Sequence, residues 1–348
     1  MENQPIEQLK TSNFDYVLPK ELIAQTPLEP RDSSRLLVVK RADASLEHRR
    51  FFDLPQFLKP GDVLVFNNSR VIRARLRAVR LDSGQEIEIL LLRRLDKSTW
   101  EALTGSRKRV DAGLALEMKG DPSVKARVIE LKAGGIRVLL FSDDSRLEQL
   151  GEVPLPPYIH EPLRDPERYQ TVYARKEGSV AAPTAGLHFT PALLEKIQDM
   201  DVRCLFITLH VGLNTFRPVH HEDFLSHPIY PEYGVIDTSA AAEIDTAKKE
   251  KRRVICVGTT AVRLVESAAR ASPDGTFAPF SGWADLFIYP GFQFKIMDAL
   301  ITNFHLPRST LLMLVSAFAG RELILKAYYE AIRERYRFYS FGDAMLIV

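Results

Sequence analysis

The feature that most constrains this chain is a change of grammar along it. Between about residues 67 and 152, short apolar runs follow one another with turn signals between them and no helical period. These are VIRARLRAV, EIEILLLRRL, KARVIEL and GIRVLLF, broken by Asp82-Ser83-Gly84 and Gly134-Gly135. Closely spaced short strands of this kind form a small barrel or a sandwich. After Pro154 strands alternate with helices. Thr190-Pro191 reads as an N-cap followed by the first helical residue, and the strand VRCLFITLH follows at 202–210. A helix is predicted over 239–251, a strand over 252–258 and another helix from Thr260 to Ala271. Strands follow at DLFIYP (285–290) and ALITNF (299–304). Ser309-Thr310 caps a buried helix ending near Gly320, an amphipathic helix runs to about Arg337, and AMLIV closes the chain.

That alternation predicts a mainly parallel sheet covered on both faces. Residues before about 65, with strands at 36–40 and 62–67 around the turn at 59–62, read as α/β material too. A length of 348 residues exceeds one ordinary core. The expectation is an α/β domain made of 1–66 and 153–348, interrupted by an inserted small β-barrel domain at 67–152.

Hydrophobic content of 45% with 26% charged residues is that of a globular chain rather than a disordered one. The 21 prolines outnumber the 18 glycines, which predicts stiff loops rather than linkers. Cys204 and Cys256 each sit in an apolar run and read as buried reduced thiols. No cysteine pair or Cys/His cluster has zinc-ligand spacing, so no zinc site is implied. The N-terminal MENQPIEQLKTSNF lacks the features of a signal peptide, and the longest apolar stretch, Leu311 to Ala319, is about half of a membrane span. The expected compartment is the cytoplasm.

A net charge of +2 says little about partners, but its distribution says more. From Asn67 to Val110 there are eleven Lys/Arg against five Asp/Glu, which marks one region as a surface for a polyanion. Within it Arg73, Arg75 and Arg77 alternate with Ile72, Ala74, Leu76 and Ala78, and Arg70 precedes them. Such a row either tracks a nucleic-acid backbone or is an ordinary solvated face.

In open α/β sheets ligands gather at the carboxyl ends of parallel strands. Four such ends carry polar and glycine positions here: His210 to Phe216, Gly258 to Arg263, Pro290 to Phe292, and Asn303 to Pro307. Gly258-Thr259-Thr260 between a strand and a helix offers free amides and a positive dipole end for a carboxylate or phosphate; the alternative is a tight turn with a threonine cap. His210 and His305 at matching strand ends suit a base and an orienting donor, though either alone reads equally as a structural histidine. Thr184 to His188 packs small residues and a histidine ahead of a helix, where a ligand could approach the backbone closely.

At these motifs the sequence resembles the S-adenosylmethionine:tRNA ribosyltransferase-isomerases of queuosine synthesis. The matching blocks are VPLPPYI (153–159), RYQTVYARKEGSVAAPTAGLHFT (168–190), LHVGLNTFRPV (209–219), VGTTAVR (257–263), FIYPGFQFKIMDALITNFHLP (287–307) and STLLMLVSAFAG (309–320), in the family's order over nearly the whole chain. The resemblance implies an α/β domain interrupted by a β-barrel, a monomer, and no metal or cofactor beyond S-adenosylmethionine consumed as substrate. It implies transfer and isomerisation of the ribosyl group onto 7-aminomethyl-7-deazaguanine in a tRNA anticodon, giving epoxyqueuosine with release of adenine and methionine.

That chemistry needs a general base beside the sulfonium, a donor for the departing adenine, a dry site for a neutral amine and a nest for the methionine carboxylate. His305 or His210 is expected to do acid–base work, with His227, Tyr230 and Glu232 as further catalytic candidates. Gly258, Thr259, Thr260 and Arg263 are expected to hold the methionine tail. Thr184 to His188, with Gly186 among them, and Phe216 are expected to line the nucleoside pocket, Gly212, Thr215 and Asn303 to help bind S-adenosylmethionine and the base, and Arg70, Arg73, Arg75 and Arg77 to meet tRNA phosphates. The chain departs from the family pattern at Tyr230 (usually histidine), Asn214 (usually glycine), Ala261 (often serine) and Arg73 (usually proline). Three rival readings are a non-catalytic tRNA-binding paralogue, a methyltransferase and a simple nucleosidase. The missing glycine-rich turn after the first strand argues against the methyltransferase.

Overall fold

The computed structural model describes residues 10–105, 109–212, 221–272 and 275–348. Its larger sheet begins with two strands, β1 (Arg35–Lys40) and β2 (Ser45–Arg50), followed by β3 (Val63–Asn67). A short β4 (Ser69–Val71) leads into β5 (Arg75–Arg80), β6 (Glu86–Asp96), β7 (Thr99–Gly105), β8 (Ala115–Met118), β9 (Asp121–Leu131) and β10 (Ile136–Phe141). A single helical turn, α1 (Leu147–Leu150), closes that stretch and β11 (Lys176–Ser179) follows. The remainder alternates: α2 (Pro191–Gln198), β12 (Arg203–Leu209), β13 (Glu232–Ile236), α3 (Thr238–Lys249), β14 (Val254–Val257), α4 (Thr259–Ala271), β15 (Phe280–Ala284), β16 (Ala299–Asn303), α5 (Thr310–Ala319), α6 (Arg321–Arg333) and β17 (Ala344–Ile347).

Strands β5 to β10 form a closed barrel in the order β10-β7-β6-β5-β8-β9. Alternation drives the closure: Leu76, Ala78, Ile87, Ile89, Leu116, Met118, Ala126 and Val128 point inward and are buried, while their neighbours face out. The chain enters and leaves through one pairing, with Arg75 N–H donating to Glu152 O at 3.0 Å and Glu152 N–H to Arg75 O at 2.8 Å. There Gly151 packs so closely that a Cβ would lie 2.0 Å from Arg73 O. β4 stays outside the barrel and pairs in parallel with β11.

The larger sheet has nine strands in the order β15-β13-β12-β3-β14-β16-β17-β1-β2. Apolar runs such as Leu36-Leu37-Val38-Val39 bury both faces. Leu36, Val38, Leu64 and Phe66 pack with Phe51, Phe189 and α2 on one side. Leu37, Val39, Val63 and Val65 pack with α3, α4, α5 and α6 on the other. The expected caps are present: Thr190 Oγ1 accepts from Leu193 N–H at 3.1 Å and Ser309 Oγ from Leu312 N–H at 3.2 Å.

Four readings need correction. The sheet is mixed rather than mainly parallel. Its centre, β12-β3-β14-β16, is parallel and so is β17–β1, but β16–β17, β1–β2, β12–β13 and β13–β15 are antiparallel. The turn at residues 41–44 sends β2 straight back along β1, and β17 enters between β16 and β1, so local alternation did not reveal direction. DLFIYP is not a strand. β15 lies just before it, and Leu286 to Ile288 run as irregular backbone along a cavity wall, with the Ala284 and Leu286 carbonyls taken by Arg263. Residues 10–66 contain only strands and short 3-10 turns among helix types described. Cys256 is buried but Cys204 is only half-buried; both are free thiols. No helix among the described residues is long and apolar enough to cross a membrane.

Candidate active site

A cavity of about 450 Å³ opens where β14 and β16 end. Two helices begin on its wall, α4 after Gly258 and α5 after Ser309, so two sets of unpaired amides and two positive dipole ends converge there. Gly258 holds φ of 90°, and its N–H donates to Ile301 O at 2.8 Å, which turns the chain from strand into helix without a side chain in the way. Thr259 and Thr260 line the cavity, and Thr260 Oγ1 has no hydrogen-bond partner among the described residues.

The wall on the β16 side is a chain of neutral polar groups. Thr184 Oγ1 donates to Asn303 Oδ1 at 3.0 Å, and Asn303 Nδ2 donates to Tyr339 O at 3.2 Å. A carbonyl only accepts, which fixes the amide orientation. Asn303 Nδ2 also reaches His188 Nε2 at 3.1 Å, so that nitrogen accepts and the ring proton sits on Nδ1, 2.8 Å from Ser34 Oγ. His188 is buried, stacks on Phe51 with ring centroids 4.9 Å apart, and does not line the cavity. Burial, with Arg337 and Arg31 nearby, pushes its pKa down to about 3. Gly186 is likewise behind the wall. A Cβ there would fall 1.9 Å from the Tyr173 hydroxyl, so it is a packing glycine.

His305 does line the cavity. Its Nε2 is 2.9 Å from Thr302 Oγ1, its N–H donates to Tyr328 Oη at 2.9 Å, and its carbonyl accepts from the Tyr16 hydroxyl. Burial pushes it down to about 3, so the imidazole is neutral at ordinary pH and is a weak base. Glu232, 3% exposed, accepts from Gly212 N–H at 2.9 Å and pairs with Arg263. Arg263 also donates to Leu286 O at 3.2 Å and Ala284 O at 3.3 Å, so its guanidinium is committed to the protein although it lines the cavity.

Other predicted residues are placed apart from this group. His210 lies outside the cavity lining; its N–H donates to Tyr233 O at 3.0 Å, and its half-buried ring packs over Gly178 with pKa lowered by burial. His227 and Tyr230 are half-buried on the segment that brings Ile229 and Glu232 to the cavity. Thr215 and Phe216 lie outside the described residues, as does Asn214. The arginine row alternates outward as expected but is largely paired. Arg70 bonds Glu167 through two nitrogens, Arg75 lies 3.6 Å from Glu88, and Arg77 lies 3.9 Å from Glu152. Arg73 is exposed. Among the described residues no group of three or more His, Cys, Asp or Glu side chains is placed to hold a metal ion.

Residue-level reading missed two cavity walls. Tyr158 and Tyr339 face each other with ring centroids 4.8 Å apart, and Tyr158 Oη is 2.7 Å from Ser340 Oγ. Tyr158 sits in the VPLPPYI block, so a signal existed. Tyr339 had none, because its φ of 70° is a property of the folded chain.

Residues 11–347 match the protein family described as Queuosine biosynthesis protein. A protein of Dehalococcoides mccartyi (strain CBDB1) named S-adenosylmethionine:tRNA ribosyltransferase-isomerase is 55% identical over 343 residues, covering 98% of this chain and 100% of that one. The protein of the same name from Clostridioides difficile (strain 630) is 50% identical, covering 97% and 100%. The chain belongs to the S-adenosylmethionine:tRNA ribosyltransferase-isomerase family. It is therefore an enzyme of the transferase class, of the queuosine-synthesis family. The crystal structure of S-adenosylmethionine tRNA ribosyltransferase from Thermotoga maritima is similar at a TM-score of 0.57 and 40% identity, over 97% of this chain and 100% of that one.

Two departures from the ribosyltransferase-isomerase pattern have a structural setting. Ala261 is fully buried in α4 against the sheet, where a methyl needs no hydrogen-bond partner. Arg73 stands exposed at the barrel entrance beside Gly151.

Proposed function

We propose that this enzyme transfers and isomerises the ribosyl group of S-adenosylmethionine onto 7-aminomethyl-7-deazaguanine in a tRNA anticodon. Epoxyqueuosine-tRNA forms, and adenine and methionine leave. The observation that carries the reading is the cavity itself, with two helix N-termini, a neutral polar wall and aromatic sides in one enclosure. The amides opening α4, at Gly258 to Thr260, receive the methionine carboxylate, and Arg263 stiffens that corner through Glu232 rather than binding the carboxylate directly. Thr184 and Asn303 present hydroxyl and amide groups to the nucleoside, with His188 and Ser34 holding Asn303 from behind. Tyr158 and Tyr339 exclude water, so that the incoming amine stays neutral.

His305 serves as an uncharged hydrogen-bonding group to the departing base, its low basicity suiting a donor–acceptor role over storage of a full proton. His210, His227 and Tyr230 remain the candidates for removing the proton next to the sulfonium. The functional unit is a monomer, with 1–66 and 153–348 as catalytic domain and 67–152 as barrel domain. It works in the cytoplasm and takes no metal or further cofactor.

The test is incubation with S-adenosylmethionine and tRNA bearing 7-aminomethyl-7-deazaguanine, following adenine and methionine by chromatography. Both products appearing only with the modified tRNA supports the reading. Adenine without tRNA supports a nucleosidase, S-adenosylhomocysteine a methyltransferase, and tRNA binding with no product a non-catalytic paralogue.

A further inference from the structure

The edge of the larger sheet carries a second feature, on the face turned away from the cavity. Tyr233 of β13 is paired in register with Trp283 of β15, and His210 N–H donates to Tyr233 O, so the three residues form one row across the strand ends. Residues opposite one another on neighbouring strands point to the same side. Tyr233 and Trp283 meet edge to face with centroids 5.3 Å apart, and remain 37% and 48% exposed. Exposed aromatic pairs on a sheet face need a reason, because their burial elsewhere stabilises the fold.

The surrounding charge indicates the kind of partner. The Arg93 guanidinium, from barrel strand β6, lies 4.8 Å from the Trp283 ring centre. Arg93 and Lys132 share a single carboxylate, Glu101, at 3.0 Å each, so the cluster that Arg93 belongs to has two cations to one anion. Two π faces with surplus positive charge suit a stacked base and its phosphate. Placement supports it too: Glu232 lines the cavity and Tyr233 is the next residue, so both features share one end of β13.

We propose that Tyr233 and Trp283, with Arg93 at Trp283, form a stacking platform for an unpaired nucleotide of the RNA substrate adjacent to the one entering the cavity. This rests on the reading of tRNA as substrate.

The experiment compares binding of an unmodified tRNA transcript to wild type, Trp283→Ala, Trp283→Phe and Tyr233→Ala at fixed salt, with S-adenosylmethionine binding as the control for folding. Trp283→Ala is expected to weaken RNA binding on the order of tenfold, with Trp283→Phe close to wild type. A direct readout is tryptophan fluorescence in the Trp100→Phe protein, where Trp283 alone reports; the transcript is expected to quench it. Wild type that binds the transcript with no quenching, and with unchanged affinity in Trp283→Ala, overturns the platform and leaves the functional reading standing. Wild type that binds neither the transcript nor tRNA bearing 7-aminomethyl-7-deazaguanine overturns both. Trp283→Ala that changes sedimentation while RNA affinity holds assigns the face to a second copy of the chain and overturns the proposal.

Discussion

The cavity wall and the arginine row of the barrel are both polar, yet they are built in opposite ways. At the wall and behind it Thr184, Asn303, His188 and Ser34 are uncharged, mostly buried and bonded in one order, each fixing the next. Along the row that runs from β4 into the barrel, Arg70, Arg75 and Arg77 are charged and mostly meet carboxylates at the surface. The only ion pair inside the cavity, among the described residues, is Glu232–Arg263, and it is saturated by further bonds. The comparison teaches that charge density in a sequence locates solvated surface more readily than it locates chemistry. Removing one member should therefore cost much at the wall and little on the barrel.

The largest effect is expected for Glu232→Ala, which leaves Arg263, its side chain only 12% exposed, without its carboxylate. A loss of about 3–5 kcal/mol in urea unfolding is expected, with weaker S-adenosylmethionine binding. An unchanged midpoint would dissolve the contrast. Next comes Asn303→Leu, which strands the Tyr339 carbonyl, Thr184 hydroxyl and His188 Nε2 together. It should cost about 1–3 kcal/mol and sharply reduce adenine release, whereas His188→Gln, able to refill one bond, should recover part of the activity.

Acid gives a third test. His188 and His305 are held near pKa 3 in the folded chain, below the 6.5 of a free histidine. The unfolded chain therefore takes up protons first. The stability these rings contribute is complete above about 6.5 and is lost as pH falls from there toward 3, at up to about 1.4 kcal/mol per pH unit for each ring. Denaturant midpoints measured from pH 7 to 5 should fall, and His188→Gln should flatten the slope. The smallest effect is expected for Arg77→Ala, below about 0.5 kcal/mol in stability, because its contact with Glu152 is long and exposed. If that arginine meets a phosphate, the salt dependence of RNA binding should drop by about one counterion in the same variant.

How much of this was legible depends on whether the information was local. The strands of the barrel followed from alternation, as in Leu76 and Ala78 against Arg75 and Arg77, which left barrel or sandwich open, and the helix starts at Thr190 and Ser309 followed from their caps. The positions at the carboxyl ends of β14 and β16 were legible as places, since Gly258 to Thr260, Asn303 and His305 all reach the cavity. Their partners were not. Nothing near Arg263 in sequence says that Glu232 will claim it, and His188 looked like a pocket residue because its separation from Asn303 by 115 positions hides their bond. DLFIYP read as a strand because apolar residues that line a cavity and those that face a core have the same pattern.

The position of β17 carries a consequence for synthesis order. β1 and β2 emerge early, yet the larger sheet reaches them only through Ala344–Ile347, which lie between β1 and β16. Until that segment is made the early hairpin has no neighbour but itself, and a two-stranded ribbon is marginal in water. Assembly must wait for one of the longest sequence separations the chain contains, which slows the search and leaves an open strand edge in the meantime. The β1–β2 hairpin is thus expected to keep an open edge until β17 is inserted beside it.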